Sequence, residues 1–154
     1  MHRRQGLLAV IVTTISLAMP LASSAAEGMI KVKSAHRVEA TADKLVNVVT
    51  GQGVNVFERI NHAEGAEEVG LELRPTEVVI FGNPNVGTPL MQCAQSVAID
   101  LPQKALIWED ADGQVWLAYN DPAYLKQRHG IEGCEQPLEN LARALEKFAT
   151  MATQ

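Results

Sequence analysis

The chain has 154 residues, with 13 Lys and Arg against 18 Asp and Glu and a formal net charge of −5 at pH 7. This length is enough for one domain with a core of its own but not for two. An acidic surface repels phosphate backbones, so the charge balance argues against a nucleic acid partner.

The first 26 residues predict a bacterial secretory signal peptide. Two arginines precede an apolar run from Leu7 to Met19, and small residues follow around Ala25. The run is too short for a comfortable membrane span. We therefore expect a mature domain over residues 27 to 154, periplasmic or secreted, with no stable membrane insertion after cleavage. An uncleaved N-terminal anchor is the alternative.

The first half of the mature chain predicts a strand, a helix and a second strand. Residues Met29 to His36 alternate weakly, which favours an edge strand. Thr41 predicts the N-cap of a helix that ends at the glycines of residues 51 to 53. The pattern of a strand resumes over residues 54 to 60, and a short helical segment follows it.

A continuous apolar strand is predicted over residues 76 to 82, in the interior of the sheet. It leads into the segment FGNPNVGTPLMQ, Phe81 to Gln92, in which Thr88 predicts an N-cap and Pro89 the first helical position. Helical spacing then continues to Asp100.

Residues 104 to 122 predict a β-hairpin, because two apolar strands flank Asp112-Gly113, a dipeptide suited to a tight turn. With these two residues at the centre of the turn, Trp108 would face Leu117.

Two helices are predicted at the C-terminal end. Asp121 caps the first, which ends at Gly130, and Pro137 opens the second, which carries one apolar stripe. The resulting order is β-α-β-α-β-α-β-β-α-α. It indicates the α+β class, with a mostly antiparallel sheet and helices packed on one face.

Four segments resemble the DUF 302 family of small bacterial domains of unknown function. They are FERINHAEGA (57 to 66), RPTEVVIFGNPNVGTPLMQ (74 to 92), AIDLPQKALIWEDADGQVWLAYNDP (98 to 122) and RHG (128 to 130). The resemblance implies an α+β sandwich-like domain that is prone to form a homodimer. It implies no established activity. Cys93 and Cys134 stand outside the family pattern.

The glycines of FGNPNVGTPLMQ have the spacing of a phosphate-binding loop, but Thr88 and Pro89 occupy the places of its Lys and Ser/Thr. Nucleotide binding is therefore not expected. The segment predicts a corner between a strand and a helix, with contact to a small polar or anionic ligand as the alternative.

Polar residues at the ends of predicted elements form the candidate ligand patch: Asn83, Asn85, Thr88, Asn120, Asp121, His62 and His129. We expect a non-catalytic ligand-binding or interaction module without a cofactor or a metal. The alternative is a hydrolase or lyase in which His62 or His129 is the general base and Asp121 orients it. Catalysis is the less favoured reading, since no local motif marks a nucleophile.

The two cysteines leave three alternatives open in an exported domain of this size. Cys93 and Cys134 could form a disulfide, stay as separate thiols, or serve a metal or redox accessory protein.

Overall fold

Five β-strands and five α-helices make up residues 28 to 154, the part of the chain that the computed structural model describes. The predicted signal peptide lies outside these residues. The elements are β1 (Met29–Lys33), α1 (Val38–Gly51), β2 (Asn55–Asn61), α2 (His62–Glu68), β3 (Thr76–Gly82), α3 (Pro84–Cys93), β4 (Gln103–Glu109), β5 (Val115–Asn120), α4 (Pro122–His129) and α5 (Glu135–Thr153). This confirms the predicted α+β class and element order, with a 3-10 helix added at Gln95–Ile99.

The strands form one antiparallel sheet in the order β1-β5-β4-β3-β2. β1 is an edge strand and β3 an interior strand, as predicted. Asn61 pairs with Glu77 at one end of the sheet, and Phe81 pairs with Gln103 at the other. We call these the Asn61 end and the Gln103 end.

The core lies between one face of the sheet and the helices. Alternate strand residues such as Val79, Ile107 and Leu117 are fully buried on this inner face. The helical residues that meet them repeat with helical spacing: Ala42, Leu45 and Val49 in α1, and Leu138, Leu141, Leu145, Phe148, Ala149 and Ala152 in α5. The predicted apolar stripe of the last helix therefore packs on the sheet, although α5 begins at Glu135 rather than at Pro137.

The predicted N-cap at Thr41 is wrong, because α1 begins at Val38. Thr41 is fully buried, and its hydroxyl donates to the carbonyl of Arg37 at 2.9 Å and contacts the hydroxyl of Ser34 at 2.7 Å. A threonine hydroxyl that bonds back to the carbonyl four residues earlier is satisfied inside a helix, so it need not cap one.

The predicted hairpin exists, but its register differs by one residue. Trp108 pairs with Trp116, not with Leu117. Only Gly113 has a positive φ in this loop, and its amide donates to the carbonyl of Asp110 at 3.1 Å. The loop is therefore a three-residue turn with a glycine bulge rather than a two-residue turn.

Helix α3 begins earlier than predicted. Asn83 caps it by accepting a hydrogen bond from the amide of Asn85 at 2.9 Å, and Pro84 takes the first helical position. Thr88 and Pro89 thus lie inside the helix. The predicted continuation to Asp100 is also wrong, since α3 ends at Cys93 and a separate 3-10 helix follows.

The predicted ends of α4 are confirmed. The carboxylate of Asp121 accepts the amide of Ala123 at 2.8 Å, and Gly130 ends the helix in the left-handed conformation, with φ 59°. That conformation favours glycine.

Candidate functional site

A cavity of about 280 Å³ lies at the Gln103 end of the sheet, between α3, α5 and the ends of β3 and β4. Most of its wall is apolar. The lining residues are Val54, Phe57, Phe81, Gly82, Asn83, Pro84, Val86, Gly87, Thr88, Leu90, Met91, Ala98, Leu101, Pro102, Gln103, Leu141, Ala144, Leu145 and Phe148. The segment FGNPNVGTPLMQ therefore supplies a large part of one wall.

The floor of the cavity is buried, whereas its mouth is open to solvent. The rings of Phe81 and Phe148 meet edge to face at the floor, with centroids 6.3 Å apart. Phe57, 55 % exposed, and Val86, 38 % exposed, lie at the mouth. Phe57 is the extra residue of an irregularity in β2, where the pairing with β3 shifts. Such a bulge redirects a side chain, here to the cavity rim.

Gln103 is the buried polar residue of this cavity. It is 5 % exposed, and neither its Nε2 donor nor its Oε1 acceptor has a hydrogen-bond partner among the described residues. An unpaired buried amide is unfavourable by about 1 to 3 kcal/mol, so its presence calls for a reason. Sequence reasoning missed this residue. Its signal was the alternation of Gln103 with Ala105 and Ile107, which places an amide on the inner face.

The predicted ligand patch is divided between the two ends of the sheet. Asn83 and Thr88 line the cavity, but Asn85 does not. Asn120 pairs with Met29 at the edge of the sheet, and Asp121 is engaged as the cap of α4.

His62 is separated from the rest of the patch. It begins α2 directly after Asn61, at the end of the sheet opposite to the cavity. β2 runs the length of the sheet from Asn55 to Asn61, about 20 Å at 3.3 Å per residue. His129 contacts Asp100, which lies just before Gln103 at the other end of the sheet. Hence His62 and His129 do not share a site.

His129 forms a different cluster from the one predicted. Its Nε2 lies 2.6 Å from Oδ2 of Asp100, and its Nδ1 lies 3.0 Å from the hydroxyl of Ser96. A carboxylate only accepts, so Nε2 carries the proton and a neutral ring accepts from Ser96 at Nδ1. Arg128 contacts the second oxygen of Asp100 at 3.2 Å. Asp121, the predicted orienter, lies at the other end of α4, about 12 Å away along the helix axis.

A second, polar cleft of about 790 Å³ lies at the Asn61 end. Arg37 and Arg59 both line it, and Arg59 is paired, with Nε 2.6 Å from Glu77 and Nη1 2.5 Å from Asp43. The hydrogen bond to Glu77 raises the pKa of the Arg59 guanidinium, while burial opposes that rise. Among residues 28 to 154, no group of three or more His, Cys, Asp or Glu side chains is arranged to hold a metal.

The structure joins Cys93 and Cys134 as a disulfide, with Cα atoms 6.4 Å apart. Cys93 ends α3 and Cys134 precedes α5, so the bridge connects the two helices that line the cavity. A bridged pair offers no thiolate to a metal.

Fold and cavity together define a small α+β domain with one five-stranded antiparallel sheet and helices on one face. The chain belongs to the family described as "Domain of unknown function DUF302", whose model matches residues 30 to 148. A crystal structure of an uncharacterised conserved DUF302 protein from Bacillus stearothermophilus has the same fold, with a TM-score of 0.74 and 16 % identity. The match covers 84 % of this chain and all of that one.

Two Brucella proteins are similar in sequence. "Fluoride-specific ion channel FluC 1" of Brucella suis biovar 1 is 48 % identical over 112 residues, which are 73 % of this chain and 44 % of that protein. "Fluoride-specific ion channel FluC 2" of Brucella melitensis biotype 1 has the same identity, with 42 % of its length covered. This chain thus matches less than half the length of these relatives. Within the described residues, no helix is long and apolar enough to cross a membrane.

Proposed function

We propose that this protein is a non-catalytic binding module for a small, largely apolar molecule. The observation that supports this function is the cavity at the Gln103 end, which combines an apolar wall with one buried and unpaired amide. Pockets of this composition, with few polar groups among apolar ones, are typical of small-molecule sites.

The wall composition changes the ligand class expected from sequence. Among the described residues that line the cavity, none carries a charge. Moving an anion from water into such a wall without a partner is strongly unfavourable. We therefore propose an apolar ligand in place of a small polar or anionic one.

A thermal-shift panel of small aromatic and aliphatic molecules tests this function. A ligand that binds only the folded protein raises its apparent stability, and at ten times its Kd the expected increase in Tm is about 5 °C. Ala144→Leu adds an isopropyl group that projects from α5 into the cavity and should abolish the shift. Ala142→Leu is the matched control, because residue 142 lies on the same helix but does not line the cavity. Equal shifts in both variants would contradict binding at this site.

The name of the Brucella relatives supplies a further arm of the panel. Fluoride transport belongs to those proteins, of which this chain matches less than half. Sodium fluoride should give no more stabilisation than sodium chloride at equal ionic strength. A saturable shift with fluoride alone would contradict an apolar ligand.

A hydrolase is the second candidate function, favoured by the cluster of Ser96, His129 and Asp100. A neutral His129 can accept the proton of an attacking Ser96 hydroxyl while Asp100 holds the ring. In serine proteases Nδ1 of the histidine faces the aspartate and Nε2 faces the serine. Here Nε2 faces Asp100 and Nδ1 faces Ser96. Under this function, Ser96→Ala and His129→Gln should each lower any esterase activity on p-nitrophenyl acetate at least about 100-fold. Unchanged activity in Ser96→Ala would exclude it.

Export and homodimer formation stay predictions. Cell fractionation and sedimentation analysis of the mature chain test them.

A further inference from the structure

We infer that the ligand carries a neutral group with a hydrogen-bond donor and an acceptor side by side, as in a primary amide or a lactam, and that this group pairs with Gln103. The inference rests on the proposed binding function and specifies the chemistry of its ligand. It identifies Gln103 as the residue that determines specificity.

The side chain of Gln103 offers both hydrogen-bond donors and an acceptor. A carboxamide presents two N–H donors on Nε2 and an acceptor on Oε1 in one plane. Both atoms are fully buried and unpaired among the described residues. A ligand with only an acceptor would satisfy Nε2 and leave Oε1 unpaired, and one with only a donor would do the reverse. A group with both satisfies both in two parallel hydrogen bonds.

The position of Gln103 sets the orientation of the ligand. Gln103 pairs with Phe81 across the ladder, on the buried side of the cavity, whereas Phe57 and Val86 lie at the exposed mouth. The polar end of the ligand is therefore placed deep and its apolar body extends toward the mouth. The buried side chains of Leu90, Leu145 and Phe148 surround that body.

The cavity also limits the charge and the size of the ligand. Neither carboxylate nor ammonium groups find a counter-charge in the lining, so the neutral form of the ligand is favoured. An engineered apolar cavity of about 150 Å³ binds benzene. By this measure a cavity of 280 Å³ holds a compact body of about ten non-hydrogen atoms.

Four probes of nearly equal shape separate the effects of donor, acceptor and charge: benzamide, acetophenone, α-methylstyrene and benzoate. Benzamide has donor and acceptor, acetophenone only the acceptor, α-methylstyrene neither, and benzoate a negative charge. Gln103→Met keeps the length of the side chain and removes both polar atoms. Because it removes an unpaired buried amide, this variant should fold at least as stably as the parent, and Gln103→Leu serves as a second variant.

Calorimetric titration of each probe into parent and variant gives the result. Gln103→Met should weaken benzamide binding about tenfold or more and acetophenone binding by less, since fewer hydrogen bonds are lost. Binding of α-methylstyrene should be unchanged or tighter in the variant, and benzoate should bind the parent more weakly than benzamide does.

Two negative results have different meanings. If Gln103→Met changes the Kd of benzamide and of α-methylstyrene by the same factor, the pairing with Gln103 is overturned while the cavity remains a ligand site. If none of the neutral probes binds the parent, and Ala144→Leu and Ala142→Leu behave alike, the binding function itself is overturned.

Discussion

Removal of the bridge between Cys93 and Cys134 is expected to lower the free energy of unfolding by about 4 kcal/mol. The sequence separation of the two cysteines is 41 residues, and closing a loop of that length restricts the unfolded chain by this amount in the chain-entropy model. The loss is a large share of the 5 to 15 kcal/mol typical of a native protein. Denaturant unfolding of Cys93→Ala/Cys134→Ala beside the parent measures it.

The reduced parent is the control for this prediction. It keeps both sulfur atoms, so a loss common to the reduced parent and the double variant reports the bridge and not the packing of the buried Cys134. Reductant should have no effect on the double variant. Two free thiols titrated in denatured protein that was purified without reductant would contradict the bridge.

The fold could be predicted from sequence because periodicity reports burial. The continuous apolar run of β3 and the helical stripe of α5 both follow from packing in the interior of the fold, and both elements agree with the structure. Boundaries failed where two local signals competed. Asn83-Pro84 and Thr88-Pro89 are both acceptable helix starts, and the first prevails because it directly follows β3.

The hairpin shows a second limit of local reasoning. Asp112-Gly113 suits a two-residue turn, but the carboxylate of Asp110 accepts the amides of Asp112 and Gln114 and favours the longer loop. The indole of Trp116 also donates to Asp110, at 2.7 Å, and this hydrogen bond lowers the pKa of the carboxyl. A contact between a loop and a strand residue on the far side of the turn is not visible in a dipeptide.

The candidate site was less predictable than the fold. The predicted ligand patch consists of polar residues at the ends of elements. Two of them, Asp121 and Asn83, are engaged as helix caps. Their side-chain oxygens accept hydrogen bonds from backbone amides at the start of each helix, as N-cap residues do. Gln103 was overlooked because a single amide within an apolar strand has no motif. Its importance depends on which groups surround it in three dimensions, and that depends on the antiparallel register of β3 and β4.

Arg59→Ala is expected to destabilise the protein by about 3 kcal/mol. Arg59 joins β2 to β3 through Glu77 and to α1 through Asp43, with N to O distances of 2.6 and 2.5 Å. The side chain of Glu77 is only 7 % exposed. Loss of the guanidinium leaves this carboxylate buried without its partner, and the unpaired charge accounts for most of the loss. Chemical denaturation at neutral pH and moderate salt measures the change.

Two further variants separate the buried charge from the loss of an arginine side chain. Arg143→Ala removes a cation from an exposed pair with Glu139, 62 % and 63 % exposed, and should change stability by less than about 0.5 kcal/mol. Arg59→Met/Glu77→Leu removes both charges of the buried pair and should recover most of the stability lost in Arg59→Ala, because apolar side chains of similar size replace buried ion pairs at little cost. If the double variant is no more stable than Arg59→Ala, an unpaired Glu77 carboxylate does not account for the loss.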